Sequence, residues 1–157
     1  MGPVSGTDDD IVVEVLTEDR AEQLADELLA MTADAAWDDW DRRNLLSGRP
    51  EKWALSLLAL DDGRPVGWAV ASRTADSVHL HHLVVAPQRR SAGIGSLLVQ
   101  QLLRSSGPAP LTLKVHPGNE PAARFYRRLG FRETGAAPSG YLCFTSEATG
   151  DEAGGPT

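Results

Sequence analysis

Residues 83–103, Leu-Val-Val-Ala-Pro-Gln-Arg-Arg-Ser-Ala-Gly-Ile-Gly-Ser-Leu-Leu-Val-Gln-Gln-Leu-Leu, constrain this chain more than any other stretch. They open as a short apolar, β-branched run that Pro87 stops, because proline brings no N–H to a ladder. Two arginines and a small-residue turn holding Gly93 and Gly95 come next. Ile94, Leu97, Leu98, Leu102 and Leu103 then recur at helical spacing, which predicts a helix after the turn. Strand, glycine turn and helix in that order leave several backbone N–H groups free at a helix N-terminus, where the helix dipole adds positive potential. Such an end is an anion site, and phosphate is its usual anion. An ordinary turn with glycines at positive φ is the other reading of these few residues. A nucleoside-triphosphate loop would need Gly-x-x-x-x-Gly-Lys-Ser/Thr, and this turn has no lysine. A dinucleotide site would need Gly-x-Gly-x-x-Gly, and Leu98 stands where its third glycine belongs.

A length of 157 residues suits one domain with a single substantial core. No apolar run approaches the roughly 20 residues of a membrane helix, so no membrane partner is expected. Residues 1–10 carry neither a basic flank nor a hydrophobic segment and are not read as a signal peptide, so a cytoplasmic location is the expectation. Cys143 is the only cysteine, which excludes an internal disulfide and a cysteine-rich metal site. The net charge of −7 argues against binding nucleic acid by phosphate neutralisation. That charge is unevenly divided: residues 1–76 hold 17 acids and 7 Lys/Arg, whereas residues 77–157 hold 5 and 8. The phosphate-type turn lies in the basic half. The acidic half is free to meet a cation such as an amine, or only keeps the protein soluble.

In chain order, residues 1–10 are expected to be disordered and Ile11–Val15 to form a strand. Thr17 starts a helix with Leu24, Leu28 and Met31 on its buried stripe. A second helix is expected over Asp34–Leu46. It contains Trp37-Asp38-Asp39-Trp40-Asp41, an aromatic and acidic group suited to a cation, or else two core tryptophans beside solvated acids. Runs at Trp53–Leu60 and Arg64–Ser72 flank Asp61-Asp62-Gly63, a hairpin signal. Val78–Val85 supplies the next strand, and Leu111–Val115 another after the breaker Gly107–Pro110. Asn119 caps a helix to Leu129 that Gly130 ends. Phe131–Thr134 and Tyr141–Thr145 close the series, and residues 146–157 read as a tail.

The segment Asn119-Glu-Pro-Ala122-Ala-Arg-Phe125-Tyr126-Arg-Arg-Leu129-Gly130-Phe131 gives the opening stretch a second meaning. Strand, Val-x-Pro, then Arg90-x-x-Gly93-x-Gly95 opening a helix resembles the coenzyme A signature of the GNAT superfamily of acyl-CoA N-acyltransferases. The later segment is similar to that family's Asn-x-x-Ala-x-x-Phe/Leu-Tyr-x-x-x-Gly-Phe. The order of elements over residues 11–145 also resembles the family's. The resemblance implies an α/β (α+β) GNAT fold: a mixed central sheet of about seven strands, splayed between the fourth and fifth, with about four helices. It further implies direct transfer of an acetyl group from acetyl-CoA to a primary amine of a small cationic metabolite or a peptide, without a metal. Members of this family often form homodimers. A non-catalytic acyl-CoA-binding sensor or partner module is the alternative.

The resemblance also implies roles for individual residues. The backbone of Leu83, Val84 and Val85 would pair with the pantetheine amides. The turn through Arg89, Arg90, Ser91, Ala92, Gly93, Ile94, Gly95 and Ser96 would hold the pyrophosphate, with the glycines allowing close approach. Asn119 would hydrogen-bond the pantetheine arm, and Tyr126 would protonate the leaving thiolate, unless it is a core aromatic. The family often takes its base from a carboxylate on the fourth strand. Here that strand carries His79, His81 and His82 instead. His79 and His81 are the candidate bases, and strand alternation puts them on one face and His82 on the other unless a bulge intervenes. Trp37, Asp38, Trp40 and Asp41 are the candidates for the acceptor side.

Overall fold

The computed structural model describes residues 11–32, 40–89 and 93–146. The two expected tails lie outside these residues except for Ser146, which is buried and belongs to the fold. Its hydroxyl accepts the Leu111 N–H and its own N–H bonds the Leu111 carbonyl, both at 2.8 Å.

Strand β1 (Ile11–Val15) leads into α1 (Glu18–Ala30). Thr17 starts this helix by accepting the Arg20 N–H, and Glu18 and Asp19 suit its positive end. Helix α2 covers only Arg42–Leu46, shorter than the pattern predicts. The reason is a start signal inside the expected helix. The Asp41 carboxylate accepts the Asn44 N–H while the Asn44 carboxamide accepts the Asp41 N–H, each at 3.0 Å, with Asp41 in extended geometry. Trp40 therefore precedes the helix, and positions 34–39 lie outside the described residues.

The expected strand from Trp53 also starts late. Lys52–Leu55 is a short helix, α3, and β2 runs Leu57–Asp61. A short apolar run cannot be assigned to strand or buried helix by periodicity alone. Here Lys52 fixes the outcome. Its Nζ donates to the carbonyls of Asn44, Leu45 and Ser47 at 3.3, 2.5 and 2.6 Å, tying α3 to the end of α2. The Asp-Gly hairpin forms as its sequence requires: Asp61 faces Arg64, and Asp62 and Gly63 both take positive φ.

Strands β3 (Arg64–Arg73) and β4 (Val78–Val85) follow, then a 3₁₀ turn at Pro87–Arg89 and helix α4 (Ile94–Ser106). The chain closes with β5 (Leu111–Val115), α5 (Glu120–Arg128), β6 (Arg132–Ala136) and β7 (Leu142–Thr145). The seven strands form one sheet in the order β1-β2-β3-β4-β5-β7-β6, antiparallel except for the parallel pair β4–β5. Five helices accompany it among the described residues, one more than expected because of α3.

Each face of the sheet has its own core. On one, α4 packs Ile94, Leu98, Val99 and Leu102 against Ala69, Ala71, Val78, Leu80 and Leu113. It sits so close that a Cβ on Gly67 would lie 3.1 Å from both Ile94 Cγ2 and the Val84 carbonyl oxygen. On the other, α1 and α2 cover Leu58, Trp68, Val70 and Val84. Among the described residues no helix is long and apolar enough to cross a membrane.

Two irregularities in β4 shape everything that follows. Its pairing with β5 stops after Val78↔Leu111, His79↔Thr112 and Leu80↔Leu113, although both strands continue. Its pairing with β3 jumps from Val70↔His82 to Ala71↔Leu80, which makes His81 the extra residue of a bulge.

Candidate active site

Where β4 and β5 part, a cavity of about 320 Å³ opens between them. Its walls come from separate parts of the chain: Trp40 before α2, Leu80 to Leu83 on β4, and Leu113 to His116 on and just after β5. Asn119, Ala122 and Tyr126 of the α5 region and Tyr141 complete it. The site residues expected from sequence that meet here are Trp40, His81, Leu83, Asn119 and Tyr126. His79, Val84, Val85 and Asp41 are not among the lining residues.

Tyr126 reaches the cleft because α5 presents Ala123 and Tyr126 inward, three apart on one helical face. Its ring is held edge-on by Phe125 and Phe131, at centroid distances of 5.0 and 5.5 Å. Burial pushes its phenol pKa well above the usual value, so the hydroxyl is protonated throughout the neutral range. That hydroxyl has no hydrogen-bond partner among the described residues. Asn119 caps α5 by accepting the Ala122 N–H at 3.3 Å, which leaves the donor end of its carboxamide uncommitted.

The bulge changes the arrangement of the histidines. Val78 and Leu80 belong to the α4 core, and Leu83 and Val85 pack against the same core. The faces have therefore shifted by one residue between Leu80 and Leu83. His82 consequently does not oppose His79 but stands on its side, stacked on Trp40 at 4.4 Å with only 6° between the planes, and tilted against Trp68 at 5.0 Å. His79 and His81 lie edge to face at 4.9 Å. His81 Nε2 is 2.7 Å from the Ser72 hydroxyl and His79 Nδ1 is 2.8 Å from the Thr112 hydroxyl. Burial lowers both pKa values. That of His81 falls to about 3, with His79 and then the cations Arg49, Lys52 and Lys114 adding to the effect; Lys114 and Arg49 also depress His79. Both imidazoles are neutral at pH 7.

The glycine turn meets the sheet at the start of α4. Arg90, Ser91 and Ala92 lie outside the described residues, as do Trp37 and Asp38. Gly93 takes φ 86°, a left-handed conformation that favours glycine. The first intrahelical bond is Leu97 N–H to the Gly93 carbonyl, so the N–H groups of Ile94, Gly95 and Ser96 come before it. No side chain among the described residues caps them, whereas Thr17, Asp41 and Asn119 cap their own helices. The side chain of Ile94 is buried in the core, so only its backbone can serve a ligand. Gly95 also lies close against α5: a Cβ there would sit 3.2 Å from Phe125 Cζ. Arg89 forms an ion pair with Asp61, which ties the turn to the end of β2. Asp41 is committed to capping α2.

Four further lining residues, His82, Lys114, His116 and Tyr141, were not singled out as site residues from sequence. His116 accepts the Gly118 N–H on Nδ1 at 2.9 Å and meets the Tyr141 ring edge-on at 5.3 Å. For His82 the signal was present but the bulge was not legible. The other three gather only once the strand ends are placed in space.

The chain is similar to known proteins in sequence and in fold. The sequence profile of the acetyltransferase (GNAT) family fits residues 14–131. A mycothiol acetyltransferase of Nocardiopsis dassonvillei is 29% identical over 149 residues, covering 90% of this chain and 45% of that protein. The ribosomal-protein-S18-alanine N-acetyltransferase of Escherichia coli superposes with a TM-score of 0.71 at 20% identity, over 87% of this chain and 92% of that one. The PaiA N-acetyltransferase of Thermoplasma acidophilum, solved in complex with coenzyme A, gives 0.66 at 17% identity over 87% and 98%. The chain spans 27%, 45% and 65% of the first three curated relatives it matches.

Proposed function

Since the chain belongs to the acetyltransferase (GNAT) family, we propose that it transfers an acetyl group from acetyl-CoA directly to a primary amine of a small metabolite or a peptide. The observation that carries this reading is the early end of the β4–β5 pairing, with Tyr126 on the α5 wall of the resulting cleft and His81 on the β4 wall.

The residues present fit the cofactor. The β4–β5 pairing ends at Leu80, so from Leu83, which lines the cleft, to Val85 an extended amide-bearing arm can lie beside the β4 backbone as an added strand would. The N–H groups of Ile94, Gly95 and Ser96, which no described side chain caps, suit a pyrophosphate at the positive end of α4. Asn119 has a donor left for the arm. Acetyl-CoA supplies an acyl group activated as a thioester: an N–C bond forms as the C–S bond breaks, one proton leaves the amine and one reaches the sulfur.

Tyr126 holds the second of those protons. Its raised pKa keeps it a donor at neutral pH, and sulfur leaving as a thiolate is the base it serves. His81 is neutral and so can accept a proton, but its low proton affinity makes it a relay towards solvent, with His79 beside it, and not a store. The test is amine-dependent release of free thiol from acetyl-CoA with a panel of small amines and peptide N-termini. Binding of acetyl-CoA with no thiol release for any of them would favour a non-catalytic acyl-CoA sensor instead.

A further inference from the structure

The acceptor side of the cleft has a definite electrostatic character. Leu111, Leu113 and Val115 face the α4 core, so the intervening Thr112 and Lys114 face the other side of β5, where Thr112 meets His79. Lys114 lines the cleft, is exposed, and makes no ion pair among the described residues. Its charge acts on His79 and His81, as does that of Arg49, and no carboxylate among the described residues opposes it at either histidine. None of the described residues lining the cleft is an Asp or Glu. Trp40, Tyr141 and the rings of His82 and His116 also line the cleft.

Among the described residues that line the cleft, an ammonium meets like charge at Lys114 and no carboxylate, and a polycation such as a polyamine is repelled at each of its charges. A carboxylate beside the amine reverses the sign of the interaction. We propose that the acceptor is an aminocarboxylate, whose carboxylate pairs with Lys114 while its amine points towards His81. This inference rests on the acetyl-transfer reading and narrows its acceptor. The ion pair positions the substrate, and the amine, freed of its proton, forms the new N–C bond with the acetyl carbon as the thiol departs. The same field favours losing that proton, because a cation nearby lowers the pKa of an ammonium. The missing carboxylate base on β4 is then an advantage: a carboxylate there would be drawn to Lys114 and would repel the acceptor's own.

Matched pairs of amines that differ only in the carboxylate test this: phenylalanine against phenethylamine, lysine against cadaverine, with spermidine as the polycation. For the wild type, kcat/KM should be at least tenfold higher for the carboxylated member of a pair. Lys114→Met should bring that ratio close to one with the KM for acetyl-CoA unchanged, and Lys114→Arg should retain most of it. A preference for spermidine or the plain amines, a ratio indifferent to Lys114→Met, or a rise in the acetyl-CoA KM would overturn the proposal. Calorimetric binding of N-acetylphenylalanine and N-acetylphenethylamine separates this question from turnover. Were thiol release absent with every amine, the acetyl-transfer reading would fail on its own. Lys114-dependent binding of the carboxylated product alone would still uphold the anion site, and equal binding of the two products would reject it.

Discussion

His81 Nε2 lies 2.7 Å from the Ser72 hydroxyl oxygen, across the bulge that β4 makes against β3. Burial beside His79 takes the pKa of His81 from 6.5 down to about 3. Between those two values the unfolded chain holds a proton that the native protein does not. Its contribution to stability is therefore complete above about pH 6.5 and is lost progressively as the pH falls towards 3. The melting temperature of the wild type should drop more steeply from pH 7 to pH 4 than that of His81→Gln. Parallel curves would show that His81 titrates as an ordinary exposed histidine.

Tyr126→Phe should lower turnover about a hundredfold, the low end of what a positioned general acid contributes. It should leave acetyl-CoA binding and thermal stability near the wild-type values, because the ring contacts remain and the hydroxyl has no hydrogen bond to lose among the described residues. Single-turnover kinetics and calorimetry together check this. A loss of binding equal to the loss of rate would make the phenol a binding group.

Gly67 lies under α4, and a methyl group there meets the Val84 carbonyl and Ile94 Cγ2, both at 3.1 Å. The carbonyl belongs to a paired strand and cannot swing aside. Gly67→Ala should destabilise the protein by about 2 kcal/mol. A urea midpoint within error of the wild type would mean that α4 can lift without cost.

Lys52 is buried, and its ammonium bonds three carbonyls around the C-terminal end of α2. Burial lowers its pKa to about 8, so it stays protonated at neutral pH and keeps those bonds. Lys52→Met removes the donors and strands the carbonyls, for a loss of about 3 kcal/mol in denaturant unfolding. An unchanged midpoint would show that water reaches them in its place.

The parts of the molecule that depend on neighbours in sequence were legible. Val78–Val85 was bounded correctly by its β-branched run, the Asp-Gly turn formed its hairpin, and the helix after Gly93 opens at Ile94. What was not legible depends on partners far along the chain. Trp53 begins a run as apolar as a buried strand, yet lies in α3 because Lys52 reaches back to α2. Three histidines at positions 79, 81 and 82 alternate on paper, but the bulge, set by how β3 pairs with β4, rotates His82 onto Trp40. Lys114 is an exposed strand residue until His81 and Trp40 are seen across the cleft from it. Conversely, Gly95 carries the motif's signal for a phosphate, while its most direct neighbour is the ring of Phe125.

Three residue pairs carry the sheet across from β4 to β5, where every other pair of neighbouring strands shares at least four. Backbone pairing thus joins β1–β4 to β5–β7 along a short seam, backed by the core that Leu113, Val115 and Phe144 share with α4. The open end of that seam is the cleft, with His81 and Leu83 on one side and Lys114 and Val115 on the other. Any molecule lodged there touches both sides of that seam at once, so it acts as a rivet as well as a reactant.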